Sequence, residues 1–197
     1  MAYYRIADAR AAFQRTAGEA ADVRTARSLL KSAAEAAPGQ RFDIFLSHSF
    51  HDAILIQGIR TLLEEQEWSV YVDWIDDPEL DRTKVTKVTA QRLRERMTVS
   101  DSMIFATSAS SPMSKWMPWE LGYFDGLRDG RIAILPLVDR SDTEYNGQEY
   151  LGLYPTVEKL PIKKGGERSF VTKGAGSNQY KTMDSFARGE KEYRSVT

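Results

Sequence analysis

From residue 42 onward, short apolar runs alternate with segments long enough for a helix: Phe42-Asp-Ile-Phe-Leu-Ser47, Ser69-Val-Tyr-Val-Asp73, Ser102-Met-Ile-Phe-Ala-Thr107 and Ile132-Ala-Ile-Leu-Pro-Leu137. A strand covered on both faces reads as such a run, and parallel neighbours need a crossover between them, usually helical. The pattern therefore predicts an α/β fold of parallel βαβ units. Strands are expected at 42–47, 69–73, 102–107, 132–137 and 155–159, and helices at 52–66, 84–98 and 116–128. The first of these helices carries Ile54, Ile59, Leu62 and Leu63 on one side, as a sheet-covering helix should, with Asp52 as a candidate N-cap.

The flanks read differently. Residues 3–15 and 20–37 are rich in alanine, and Val23, Ala26, Leu30, Ala33 and Ala37 recur at helical spacing. With Thr16-Ala-Gly18 between them and Pro38-Gly39 at the end, they suggest a helical hairpin. After Pro161 come Lys163-Lys-Gly-Gly-Glu167 and Lys173-Gly-Ala-Gly-Ser-Asn178, which no periodicity organises. A flexible or partly ordered basic tail is expected there, with a short helix somewhere in 178–193. The expected organisation is an N-terminal helical extension (1–40), one α/β domain (41–160) and a glycine-containing tail (161–197).

Charge and composition remove several function classes. The formal net charge is −1, and the basic excess sits in the two flanks, so the main domain lacks the basic face of a nucleic-acid binder. There are no cysteines, and His48 and His51 are the sole imidazoles, which argues against a metal site. No run approaches the roughly 18 apolar residues of a membrane span. A soluble, cytoplasmic protein without membrane or nucleic-acid partners is expected.

Two motifs carry chemistry. Ser47-His-Ser-Phe-His-Asp52 closes the first strand, and Trp116 precedes Glu120 by four residues, about one helical turn, so that both share a face. Phe42 to Ser49, Val70-Tyr-Val-Asp-Trp74, and Ser114-Lys-Trp116 followed by Glu120-Leu121 together resemble the TIR (Toll/interleukin-1 receptor) domain. Within it they are similar to the bacterial NAD-cleaving members, whose signature is Trp-x-x-x-Glu. The resemblance covers roughly residues 41–160. The Arg-Asp-x-x-Pro-Gly loop of receptor-type adaptors is replaced by Asp76-Asp-Pro-Glu-Leu-Asp-Arg82, which argues against receptor-style signalling.

The resemblance implies a flavodoxin-like fold with a five-stranded parallel sheet in the order 2-1-3-4-5. In such a sheet ligands bind where connections from strands 1 and 3 leave in opposite directions, and both motifs fall at that crevice. It further implies that Glu120 is catalytic, that the loop from Asp73 to Arg82 helps close over substrate, and that NAD+ is consumed rather than held as a cofactor. Self-association through TIR domains, and a Thoeris-like antiphage role with a downstream effector sensing the nucleotide product, are also implied.

The residues suit that chemistry. Pro118 fits a first helical turn and is expected to bring Glu120 into the same turn, where the helix dipole favours a carboxylate. Such a group can hold ribose hydroxyls and stabilise the positive charge that develops as a C–N glycosidic bond breaks. Nicotinamide leaves as a neutral molecule and needs no general acid. Ser47 and Ser49 can donate to ribose or phosphate, Trp116 can wall the cleft, and His48, Asp73 and Trp74 complete the expected substrate contacts.

Trp119, out of phase with Glu120, is read as packing and Ser114 as a capping residue. Ser47 and His48, adjacent along a strand, point to opposite faces and do not make a hydrolase dyad. The acidic cluster around Asp76 and Asp81 lacks the glycine of a calcium loop, and Gly122 to Gly130 is not placed as a dinucleotide fingerprint. Water as the nucleophile would give ADP-ribose, whereas an adenine nitrogen or ribose hydroxyl of the same molecule would give a cycle. A non-enzymatic interaction module and a nucleotide sensor on the same fold remain open alternatives.

Overall fold

The computed structural model describes residues 2–34, 39–73, 87–140, 147–174 and 176–195. In chain order the elements begin with β1 (Tyr4–Arg5), α1 (Ile6–Ala17), α2 (Val23–Ala34), β2 (Phe42–Ser47), α3 (Ala53–Glu64) and β3 (Val70–Val72). There follow α4 (Lys87–Thr98), β4 (Ser100–Thr107), α5 (Trp116–Leu127), β5 (Ile132–Val138), β6 (Thr156–Pro161), β7 (Glu167–Thr172), β8 (Gln179–Thr182), α6 (Met183–Ala187) and β9 (Arg194–Ser195). The fold is α/β, with a central mixed sheet flanked by helices.

The sheet path is β3-β2-β4-β5-β6-β7-β8-β9. Neighbours from β3 to β6 run parallel, and those from β6 to β9 antiparallel. Side chains alternate across it. Ile44, Leu46, Val72 and Ile104 pack with residues of α1, α2, α3 and α6 on one face. Phe45, Tyr71, Met103 and Phe105 pack with residues of α4 and α5 on the other. Thus α3, leaving β2, and α5, leaving β4, cover opposite faces although their strands are neighbours.

Three expectations need correction. The sheet is not five parallel strands, because the stretch expected as a loose tail supplies β7, β8, α6 and β9. Its glycines serve turns: Gly165 and Gly166, both at φ 86, bring β7 back antiparallel along β6, a backbone conformation that glycine adopts without strain. Val171, Met183 and Phe186, all buried, then anchor this segment in the core. The short helix expected within 178–193 is Met183–Ala187, preceded by strand β8.

The N-terminal helices pack onto the rest of the fold. Both lie chiefly against α3. There Gly58 admits the backbone of α1, since a Cβ at that position would come within 1.9 Å of the Ala9 carbonyl oxygen. Ahead of α1, residues expected to be helical form β1, whose Tyr4 pairs with Leu137 of β5 and donates or accepts a hydrogen bond with Ser169 of β7. Burial pushes the Tyr4 phenol up, against the hydrogen bonds from Ser169 and Gln66. Ala2 bridges to Lys159 of β6, whose ammonium also reaches Asp8 at 2.9 Å.

Candidate active site

Parallel strands bring the carboxyl ends of β2, β3 and β4 to one edge of the sheet. Residue alternation along β2 sends Ser47, in phase with Phe45, to the face covered by α5. There Ser47 Oγ donates to Glu120 Oε2 at 2.6 Å, a contact between residues 73 apart in sequence. Both are buried, Ser47 1% and Glu120 6% exposed. A short hydrogen bond to a carboxylate, shielded from water, is of the strong charge-assisted kind and fixes the acid's orientation. The pair sits between the neighbouring strands whose helices leave to opposite faces, the crevice in which open α/β sheets bind ligands.

Glu120 does not owe its position to the first helical turn. Helix α5 begins at Trp116, which makes Glu120 its fifth residue, and the first turn contains no acid. The expected dipole effect fades beyond one turn. Ser47 supplies the local support instead, and its hydroxyl proton, expected on substrate, is given to Glu120. The capping reading of Ser114 agrees with its Oγ accepting from the Met117 amide at 3.3 Å.

Trp116 shares the buried side of α5 with Glu120, is 7% exposed, and belongs to the aromatic core beneath the site. Trp119 meets it edge-on at 5.5 Å, stacks on Tyr123, and lies under the Arg94 guanidinium. The pair of tryptophans thus braces the start of α5.

The loop after β2 is held from within. His48, buried, bonds through Nδ1 to the Leu46 carbonyl at 3.0 Å, which requires the proton on Nδ1 because a carbonyl only accepts. Ser49 Oγ accepts from the His51 amide at the head of a short 3-10 turn. Asp52 precedes α3 without capping it through its side chain. Its carboxylate accepts from Ser108 Oγ instead, tying the loop after β2 to the loop after β4. From outside the resemblance, Arg27 of α2 lies 4.8 Å over the Phe50 ring of the same loop.

Asp73, immediately after β3, is buried and accepts from the Tyr71 hydroxyl at 3.2 Å. Burial, reinforced by that neighbouring carboxylate, pushes the Tyr71 phenol well above its usual range. Trp74 and the Asp76 to Arg82 segment lie outside the described residues. Among the described residues no cluster of three or more His, Asp or Glu is placed to hold a metal ion, and no helix is long and apolar enough to cross a membrane.

The structure therefore brings Ser47 and Glu120 into direct contact and sets His48, Ser49 and Asp73 around the same sheet edge. The Ser47–Glu120 bond escaped the sequence reading, although the alternation that sends Ser47 toward α5 was visible in it. The Asp52–Ser108 tie and the role of Tyr71 left no comparable signal.

No protein-family model matches the chain. It is 58% identical over 122 residues, 61% of this chain and 63% of the relative, to the probable 3' cyclic ADP-D-ribose synthase ThsB' of Bacillus cereus (strain MSX-D12). It is 32% identical over 106 residues, 53% of this chain and 28% of the relative, to the putative cyclic ADP-D-ribose synthase TIR2 of Cytobacillus dafuensis. The chain thus spans less than two thirds of the length of either relative. Identity of that extent makes the matched stretch of this chain a homologue of both relatives.

Proposed function

We propose that this chain cleaves the nicotinamide–ribose bond of NAD+ and releases nicotinamide together with ADP-ribose or a cyclic ADP-ribose. The observation that carries the reading is the buried Ser47–Glu120 pair at the crevice. The names of both relatives, synthases of cyclic ADP-D-ribose, support it and favour the cyclic product. NAD+ is the substrate, and no resident cofactor is required.

In this mechanism the C1′–N bond breaks with its electron pair passing to the nicotinamide nitrogen, so a pyridinium becomes a neutral leaving group. Positive charge is left on the ribose, facing the Glu120 carboxylate, which Ser47 holds in place. Water adding to C1′ and losing a proton gives ADP-ribose. A hydroxyl or adenine nitrogen of the same molecule adding there closes a ring.

Around this acid, His48 and Ser49 shape the loop after β2, Asp73 and Trp74 begin the loop expected to cover substrate, and Trp116 braces the helix. The wider frame of the proposal is a flavodoxin-like TIR arrangement of β2 to β6, ordered 2-1-3-4-5, which the path β3-β2-β4-β5-β6 supports. Residues 1–40 and 161–197 flank that domain as accessory segments. Self-association through TIR surfaces, cytoplasmic antiphage signalling, and an effector that senses the product complete it.

The test is to incubate the protein and its Glu120→Gln variant with NAD+ and to resolve the products by chromatography and mass. Only the unmodified protein should liberate nicotinamide, with the variant reduced by about 100-fold or more, as for the loss of a principal transition-state electrostatic contact. Equal rates would remove Glu120 from the mechanism.

A further inference from the structure

A hollow lies on the same face of the sheet as the Ser47–Glu120 pair and plays no part in the mechanism above. It has a volume of about 370 Å³, within the range of small-molecule sites, and Thr107, Ser108, Ser111, Pro112, Gln148 and Leu151 are among its lining residues. Phe105 is the register partner of Ser47, and Thr107 stands two residues beyond it in β4. From strand spacing and rise, the Cα atoms of Ser47 and Thr107 are about 8 Å apart. The same alternation that aims Ser47 at α5 aims Thr107 to that face, where Leu151 also packs.

The lining is mainly apolar with polar side chains set into it, and carries no charged side chain among the described residues. Thr107 is 3% exposed, and its hydroxyl meets no hydrogen-bond partner among them. A buried hydroxyl left in that state is costly, and a ligand that pairs with it relieves the cost. Gln148 Oε1 accepts from the Tyr150 hydroxyl, which leaves its amide NH2 as a donor. Pro112 and Leu151 add apolar wall. Neutral hydrogen-bonding groups between apolar surfaces suit a ribose or a base, and offer nothing to neutralise a phosphate.

We propose that this hollow takes the adenine nucleoside half of the substrate, an inference that rests on the NAD+-cleaving reading. Its position gives the distal half a role in the product. A nucleoside held beside Glu120, on the same face, folds the dinucleotide back on itself and keeps its own hydroxyls near C1′ as nicotinamide leaves. One of those oxygens then bonds to C1′ and its proton passes to Glu120 or solvent, closing the ring. The Asp52–Ser108 bond couples the wall of the hollow to the loop that follows Ser47, so the two halves of the site share one support.

Adenosine itself is the probe, titrated by calorimetry into the Glu120→Gln protein, with Thr107→Val and Gln148→Ala added separately to that background. Thr107→Val preserves shape, and Gln148 is exposed, so neither variant threatens the fold. Each should weaken adenosine binding at least fivefold. In the protein with Glu120 intact, each should raise KM for NAD+ and increase linear ADP-ribose relative to the cyclic product. No adenosine binding, or affinities within twofold of the parent in both variants, would overturn the assignment. Failure of the unmodified protein to release nicotinamide would instead defeat the reading of Glu120, and the adenosine titration separates the two cases.

Discussion

Replacing Ser47 with Ala removes a hydroxyl that donates to a carboxylate at 2.6 Å, between a serine 1% exposed and a glutamate 6% exposed. A hydrogen bond to a charged group contributes about 1.5–3 kcal/mol net, and a buried acceptor that loses its donor keeps its desolvation cost. Because about 1.4 kcal/mol corresponds to a factor of ten in an equilibrium constant, Ser47→Ala should raise the unfolding constant by roughly 10- to 100-fold. Equilibrium urea unfolding of the parent, Ser47→Ala, Glu120→Met and the double variant isolates the pair. Any other bond Glu120 makes cancels in that cycle. A coupling of about 1.5–3 kcal/mol is expected, together with a 10- to 100-fold lower rate of nicotinamide release from Ser47→Ala, since a loosened catalytic group is costly even when retained. Coupling below about 0.5 kcal/mol would refute the argument that Ser47 holds Glu120.

Two further outcomes test the frame around the site. Gly58→Ala should destabilise the protein by about 1–3 kcal/mol despite the better helix propensity of alanine, because its methyl would meet the Ala9 carbonyl at 1.9 Å; an unchanged melting temperature would show that α1 does not dock as described. Hydrogen bonds from Arg5, helped by Lys159 and opposed by burial, hold the Asp8 carboxyl below its usual value of 3.8. A depressed carboxylate stabilises the fold above its unfolded pKa and loses that contribution as pH falls through the folded one. Asp8→Asn should therefore cost about 0.5–1 kcal/mol at pH 7 and nothing once both pKa values have been passed in acid, which denaturant midpoints at the two pH values would check.

The central strands were legible because burial on both faces leaves an apolar run that few other structures produce. Expected 42–47 and 132–137 became Phe42–Ser47 and Ile132–Val138, and the helix over 116–128 became Trp116–Leu127. The C-terminal strands were hidden for the opposite reason. Antiparallel strands near an edge mix polar and apolar residues, and Ser169, Thr172 and Lys181 are buried there among polar neighbours rather than in a continuous apolar run. Their pairing depends on β6, which lies outside any local window. Glu120 was legible as a candidate because its spacing from Trp116 is local. Its partner was not, since Ser47 reaches it only after β2 and α5 have packed.

These added strands bear on how copies of the chain can meet. In a sheet ending at β6, that strand would present a row of unpaired backbone groups, a ready template for strand addition by a second copy. Here β7 pairs with β6 from Thr156 to Pro161, and among the described residues the sheet continues to a two-residue, exposed strand at Arg194–Ser195. Beyond its single register pair with β6, β5 is taken up by β1 at Leu137 and Val138. The β6 edge is thus closed from within the chain, by its two terminal segments together. Self-association as proposed then does not use a β6 edge, and on the helices and connections Val88, Met113 and Leu153 leave large apolar side chains 79%, 63% and 80% exposed. Met113 sits in the connection from β4 to α5, the connection that delivers Glu120, so a neighbouring copy seated there would press on the segment that positions the proposed catalytic acid.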